Sequence, residues 1–327
     1  MRALLRHARE TALGHVATVG GYARAVVRPE VHPQSEEWTA EIEDAHFGAI
    51  PLRGALSQPG TSTAFVIVHG MGGNLTSPYT TRMARAVARA GHTALRLLLR
   101  GASGDGVDLY HAGQGDDLAQ VTRSPALAGY DHLVIVGYSL GGHISLRHAA
   151  DGPHDPRLRA VVAVCPPIDL EHGTRAVQRF DRRPYQEFVL RSLRRQLAEV
   201  SARRGAPLPR VDPAAIRTIR DWDRLVICPR FGFESLEAFY RDEAAGPRLG
   251  EIRVPTLLVV AERDPMIAID TVVPWLDHAS DAVTIVRKRR GGHVAFPRDV
   301  GLLDESGGTI EEEIVRWVSP HLVSAVR

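Results

Sequence analysis

Cysteine is nearly absent: Cys165 and Cys228 are the only two in 327 residues. Two cannot build a disulfide framework, so both are expected as buried, unpaired thiols in a reducing compartment, which makes the expected location cytoplasmic. Lysine is scarcer still. Lys288 stands alone, and arginine carries the positive charge. An excess of either sign is also lacking, with 40 basic against 38 acidic residues and a net charge of +2. That balance gives no field suited to nucleic acid. No window reaches the roughly 18 uncharged apolar residues that a membrane-spanning helix needs, so no integral membrane segment is expected. The first residues are basic (Arg2, Arg6, Arg9), but His15 and Thr18 interrupt the apolar run behind them. The start therefore does not read as a cleaved signal peptide. Residues 1–28 read as a helix packed on the main domain, with a basic helix lying on a membrane surface as the alternative.

What is present is a soluble globular composition, 44% hydrophobic and 24% charged, over a length that fits two average domains or one large α/β domain with an insertion. Short apolar, β-branched runs recur: AFVIV at 64–68, ALRLLL at 94–99, HLVIV at 132–136, AVVAV at 160–164, TLLVVA at 256–261 and VTIV at 283–286. Each is too short for a core helix and too continuously apolar for a half-exposed strand. Strands buried on both faces have this signature, and they imply a parallel sheet covered by helices. Helical spacing at 78–90, 140–150 and 309–323 supplies the covering layer, so the pattern predicts a mostly parallel, doubly wound α/β sheet. An alternating stretch at 38–56 predicts one or two antiparallel edge strands. The alternation stops between about 171 and 250, where an arginine-rich helical stretch at 179–204, a proline-containing loop and a second helix near 236–241 are read as a lid inserted over the carboxyl edge of the sheet. The expected organisation is an N-terminal helical extension (1–36), a first core part (37–170), the lid (171–250) and a second core part (251–327).

The strongest chemical signal is Gly137-Tyr138-Ser139-Leu140-Gly141, a G-x-S-x-G directly after a strand and before a helix. In that context the serine occupies a strained turn that pushes its hydroxyl out above the sheet. A neutral serine needs a base within hydrogen-bond reach. The order nucleophile, acid, histidine places the base on the loop after the last strand, which selects His293 in GGHVAF. His278 and His321 fall in expected helices. The acid should follow the penultimate strand, where Asp264 precedes a proline and Glu262 competes from two residues away. An orienting carboxylate holds the histidine tautomer and stabilises the imidazolium. The glycine-rich loop His69–Asn74 and the residue after the nucleophile supply oxyanion donors, the N–H groups of Met71 and Leu140. Gly70 is expected to border the substrate.

Other candidates carry less. No G-x-x-x-x-G-K-[ST] and no G-x-G-x-x-G opening a helix is present, so no cofactor is expected. His143 and His148 stand five apart on one helix, about 140° round the axis from each other. That spacing does not make a metal pair, and no metal is expected. The polar run Asp105–Asp117 shapes the cleft entrance or holds structure, with Asp116 as a helix cap and His111 as a substrate contact. Phe180, Tyr185, Phe188, Phe231, Phe233 and Phe239 in the lid either pack the core or line an apolar acyl pocket.

Taken with their order, HGMGGNLTSPY (69–79), RGASG (100–104), LYHAGQGDDL (109–118), GYSLGG (137–142), FGFESLEAFYRD (231–242), AERDPMI (261–267) and GGHVAF (291–296) make the chain resemble an α/β-hydrolase. The likeness is to the YheT-like branch of serine esterases and spans about residues 62–300. It implies an α/β-hydrolase fold with a helical lid, and Ser139, Asp264 and His293 fall on the family's catalytic triad. Ala295 stands where that branch more often has glycine, and Asp242-Glu243-Ala244 replaces a small-residue pair. The expected activity is cleavage of a small-molecule carboxylic ester with an apolar acyl group through an acyl-enzyme. The alternatives are an acyltransferase or thioesterase on the same scaffold and a non-catalytic ligand-binding homologue.

Overall fold

The computed structural model describes residues 12–20, 31–44, 48–57, 62–102, 106–203, 205, 208–298, 301, 303 and 307–322. Arg2, Arg6 and Arg9, and the end of the RGASG motif, lie outside them. A short helix, α1 (12–20), precedes the sheet. Then come β1 (Glu36–Asp44), β2 (Gly48–Ser57), β3 (Thr63–Val68), α2 (Pro78–Arg89), β4 (Thr93–Leu98), α3 (Gly115–Thr122), β5 (His132–Tyr138), α4 (Leu140–Asp151) and β6 (Leu158–Val164). A helical block follows: α5 (Leu170–Ala176), α6 (Arg183–Ser201), α7 (Ile219–Trp222), a π-helical turn (Asp223–Ile227), α8 (Cys228–Phe231) and α9 (Leu236–Glu243). The chain returns to the sheet with β7 (Thr256–Ala261), α10 (Val273–Leu276), β8 (Val283–Lys288) and α11 (Ile310–Leu322).

The strands form one sheet in the order β1-β2-β4-β3-β5-β6-β7-β8. β1, β2 and β4 pair antiparallel, and every pair from β4 through β8 is parallel. Of the alternating stretch at 38–56, only β1 is a true edge, because β2 is paired on both sides. Of the continuous apolar runs, every residue of β3, β4 and β7 is buried, whereas the edge strand β8 leaves Thr284 exposed. Successive side chains point to opposite faces. Phe65 and Ile67 pack with Met83, Val87 and Ile314 under α2 and α11, whereas Ala64, Val66 and Val68 join Ile144 and the helical block on the other face. Both cysteine thiols are free and buried.

Chain order fixes where a site belongs. From β3 the chain crosses to β4 on one side, and β5 then takes the place on the other side. The loops leaving β3 and β5 therefore diverge at their carboxyl ends and open a crevice, the place where open α/β sheets take ligands.

The helical block is fastened to the core by a buried ion cluster that the sequence pattern did not reveal. Arg100 donates to both oxygens of Asp117 and to Asp44 and Asp108. Arg230, on α8, donates to both oxygens of Asp108 from 2.8 and 2.7 Å. Asp108 is wholly inaccessible and the Arg230 side chain is 1% exposed. Removing one partner from such a cluster leaves a buried charge uncompensated, which costs about 3–5 kcal/mol. Arg230→Ala should lower unfolding free energy by about that amount in urea titration; a change below about 1 kcal/mol would mean the cluster is solvated. Asp116, expected as a helix cap, is instead inside the first turn of α3, where Gln114 holds the cap position. Its neighbour Asp117 is the residue that Arg100 binds.

Candidate active site

Ser139 sits between the end of β5 and the first residue of α4, with φ 52° and ψ −121°. A non-glycine residue at positive φ is strained, and such strain collects where a side chain must be aimed. The flanking glycines make the bend possible by close approach. A Cβ on Gly137 would lie 2.2 Å from the Gly141 carbonyl oxygen, and one on Gly141 would lie 2.5 Å from the oxygens of Val68 and His69. The loop after β3 thus packs directly against the nucleophile turn.

Gly70 belongs to that packing. A Cβ there would meet the Ser139 Cβ at 2.9 Å, its N–H donates to the Tyr79 hydroxyl, and it is not among the residues that line the cavity. Gly70, expected at the substrate, packs beneath the serine. Among the described residues no hydrogen bond occupies the N–H of Met71 or of Leu140. Leu140 opens α4, where the first N–H groups have no partner within the helix and the helix dipole favours negative charge.

On the far side of β6, β7 and β8 bring the acid and the histidine together. Asp264, 4% exposed, follows β7 in a turn closed by its own N–H on the Ala261 oxygen. Its Oδ1 accepts from the N–H groups of Met266 and Ile267, at 2.8 and 2.9 Å. Its Oδ2 lies 2.8 Å from Nδ1 of His293. The histidine is held in a tight turn in which the Gly292 N–H donates to the Ala295 oxygen. Glu262 points elsewhere, toward Arg287 and Arg289. Of the other histidines, His278 lies just past α10 rather than inside it, and His321 stacks on Trp317 within α11. No hydrogen bond from a described residue reaches the Ser139 hydroxyl, so the imidazole is held by the acid while the serine Oγ is unengaged. Catalytic contacts of this kind often tighten only when substrate is bound.

One support has no precedent in the motifs. Thr18 on α1 accepts the His293 N–H at 2.8 Å through its Oγ1, which in turn donates to the Gly14 oxygen. Next to it, His15 stacks on Tyr185 of α6 with a ring-centroid distance of 5.5 Å, its Nδ1 2.7 Å from the tyrosine hydroxyl. The N-terminal helix therefore touches both the histidine loop and the helical block.

A cavity of about 90 Å³ opens over the serine. Met71, Ser139 and Leu140 form its sheet side, and Val177, Ile219 and Trp222 are among the residues of its helical side. His111 lines it, with its ring packed by Phe231, Phe233 and Phe239 at 4.3, 5.5 and 5.8 Å. Burial is the main cause that pushes its pKa down to about 3. Of the six lid aromatics only Phe239 borders the cavity. Phe180, in the segment before α6, and Phe188, on the outward side of α6, are 85% and 55% exposed. Trp222, Asp223 and Asp169 line the cavity without having been singled out in the sequence, where no motif marks them. His143 and His148 diverge as their spacing requires. His143 lies 2.8 Å from the carbonyl oxygens of Pro167 and Glu243, and His148 packs against His154.

The profile of the alpha/beta hydrolase fold family matches residues 63–299. The Escherichia coli protein YheT, an esterase by name, is 28% identical over 86% of this chain and 84% of its own. A monoacylglycerol lipase of Saccharomyces cerevisiae is 23% identical over 50% of this chain, which spans 38% of that protein. Among solved structures, the Pyrococcus furiosus esterase Pf2001 superposes with a TM-score of 0.55 over 89% of this chain and 98% of its own, at 15% identity. That likeness concerns the fold. No described helix is long and apolar enough to cross a membrane.

Proposed function

Because the chain belongs to the alpha/beta hydrolase fold family, we propose that it is a serine hydrolase that cleaves small carboxylic esters through Ser139, His293 and Asp264. The observation that carries this reading is the 2.8 Å contact between Asp264 Oδ2 and His293 Nδ1, at the carboxyl ends of the strands that follow the strained serine in the chain. With Nδ1–H donated to the carboxylate, Nε2 is unprotonated and able to act as base. His293 takes the hydroxyl proton as Ser139 Oγ bonds to the ester carbonyl carbon. The oxygen that becomes negative is met by the N–H groups of Met71 and Leu140. The imidazolium then gives its proton to the departing alkoxide, and water, deprotonated by the same nitrogen, releases the acid from the acyl-enzyme.

The cavity walls are mostly apolar, which suits an acyl group. The names of the esterase and lipase relatives support ester chemistry over a purely binding role. The test is covalent capture. A fluorophosphonate probe should label the protein once, and mass spectrometry should find the adduct on Ser139; labelling elsewhere, or none, would remove the nucleophile assignment.

A further inference from the structure

The acyl-transfer reading leaves two polar groups of the cavity without a task. Asp223 is 6% exposed and borders the cavity. It begins the π-helical turn between α7 and α8, a rare local geometry that is frequent at functional positions. Its Oδ2 accepts the Tyr240 hydroxyl at 2.7 Å. Its Oδ1 takes no hydrogen bond from any described residue, a costly arrangement at this depth unless a ligand or water completes it. Burial pushes the carboxyl up to about 7.

His111 is the second. The Gly113 N–H donates to its Nδ1 at 3.1 Å. A neutral ring that accepts at Nδ1 carries its proton on Nε2. That N–H has no acceptor among the described residues. Both groups line the same cavity, and α9 contacts each of them: Phe239 packs on His111, and Tyr240 binds Asp223.

We propose that Asp223 and His111 form a polar subsite for a neutral hydroxyl on the acyl chain, so that the preferred substrates are short hydroxyacyl esters. The proposal rests on the ester-hydrolase reading and names its substrate class. Within the cavity Asp223 Oδ1 offers a hydroxyl an acceptor, and His111 Nε2–H offers it a donor. A cationic group would meet the field of Arg220, which acts on Asp223, and of Arg100, Arg230 and Arg147, which act on His111. A second carboxylate would be opposed by Asp223 itself. A plain alkyl chain of the same length fits the volume but leaves Oδ1 unpaired and stripped of water. Sites built to bind a hydroxyl reject analogues that lack it more strongly than apolar pockets reject a missing methylene.

The experiment compares aryl esters of 3-hydroxybutanoate and butanoate. The parent should favour the hydroxy ester by about tenfold or more in kcat/KM, and Asp223→Leu should bring that ratio to about 1. Asp223→Asn, which keeps a polar oxygen in place, should retain part of the preference, an outcome a merely structural carboxyl would not give. Should Asp223→Leu not fold, the parent and Asp223→Asn ratios decide. Equal kcat/KM for the two esters in the parent, or an unchanged ratio in Asp223→Leu, overturns the subsite. Calorimetric binding of 3-hydroxybutanamide against butanamide reads the same subsite without turnover. A retained preference for the hydroxyamide with no ester hydrolysis would sink the hydrolase reading alone, and equal binding would sink the subsite.

Discussion

Replacing Ser139 with alanine should reduce kcat for ester hydrolysis about 10⁶-fold with little change in thermal unfolding. The rate falls because no other hydroxyl is poised to substitute. Ser145 donates to the Gly141 oxygen and Thr174 to the Leu170 oxygen, so the nearby alcohols are already committed. The fold stays because alanine at φ 52° carries the same backbone strain as serine. A residual acceleration of about 10³–10⁴ over water is expected from the Met71 and Leu140 amides and from binding. Steady-state kinetics with an aryl ester decide the matter. If Ser139→Ala turned over within tenfold of the parent, the nucleophile would have to be sought elsewhere in the crevice.

Asp264→Asn should cost about 10⁴ in kcat, and the structure explains why the swap is not conservative. Oδ1 accepts two backbone N–H groups, so an asparagine must place its carbonyl oxygen there to avoid donor against donor. Its NH₂ then faces His293 Nδ1. A donor at that place forces the ring proton onto Nε2, the nitrogen that should receive the serine proton. The variant would thus fold normally with its base in the wrong tautomer. Stopped-flow labelling by a fluorophosphonate should slow in step with kcat. A loss smaller than tenfold would mean that Asp264 does not orient the ring.

Much of this was legible beforehand because period and punctuation agreed. Six apolar runs of four to six residues emerged as β3 to β8, and the G-x-S-x-G context placed Ser139 at the turn between a strand and a helix. The following proline favours Asp264 over Glu262, and a place on the loop after the last strand favours His293 over His278, which the pattern reads as helical. The losses have a common cause. Arg100, Asp108, Asp117 and Arg230 are polar, and a sequence pattern reads polar residues as surface; only the three-dimensional packing shows that they pair with one another. Phe180 and Phe188 failed in the opposite sense: Phe188 stands at the outward phase of α6 and Phe180 in the segment before it, and both face water. The close packing of Gly70 on Ser139 was not legible, because a glycine that allows close approach and a glycine that borders a ligand look identical in one dimension. Trp222 and Asp223 were invisible because a π turn has no spacing rule of its own.

The hydrogen bond between Thr18 and His293 joins positions 275 residues apart. During synthesis the threonine leaves the ribosome early, and the imidazole emerges only after the eighth strand. Closing so long a loop is entropically slow relative to local folding. The serine bend can therefore assemble on a nascent chain, while the base and its support arrive last. Under the proposed mechanism, a partly made polypeptide would carry the nucleophile but not the means to activate it, which would keep hydrolysis off until translation is nearly finished.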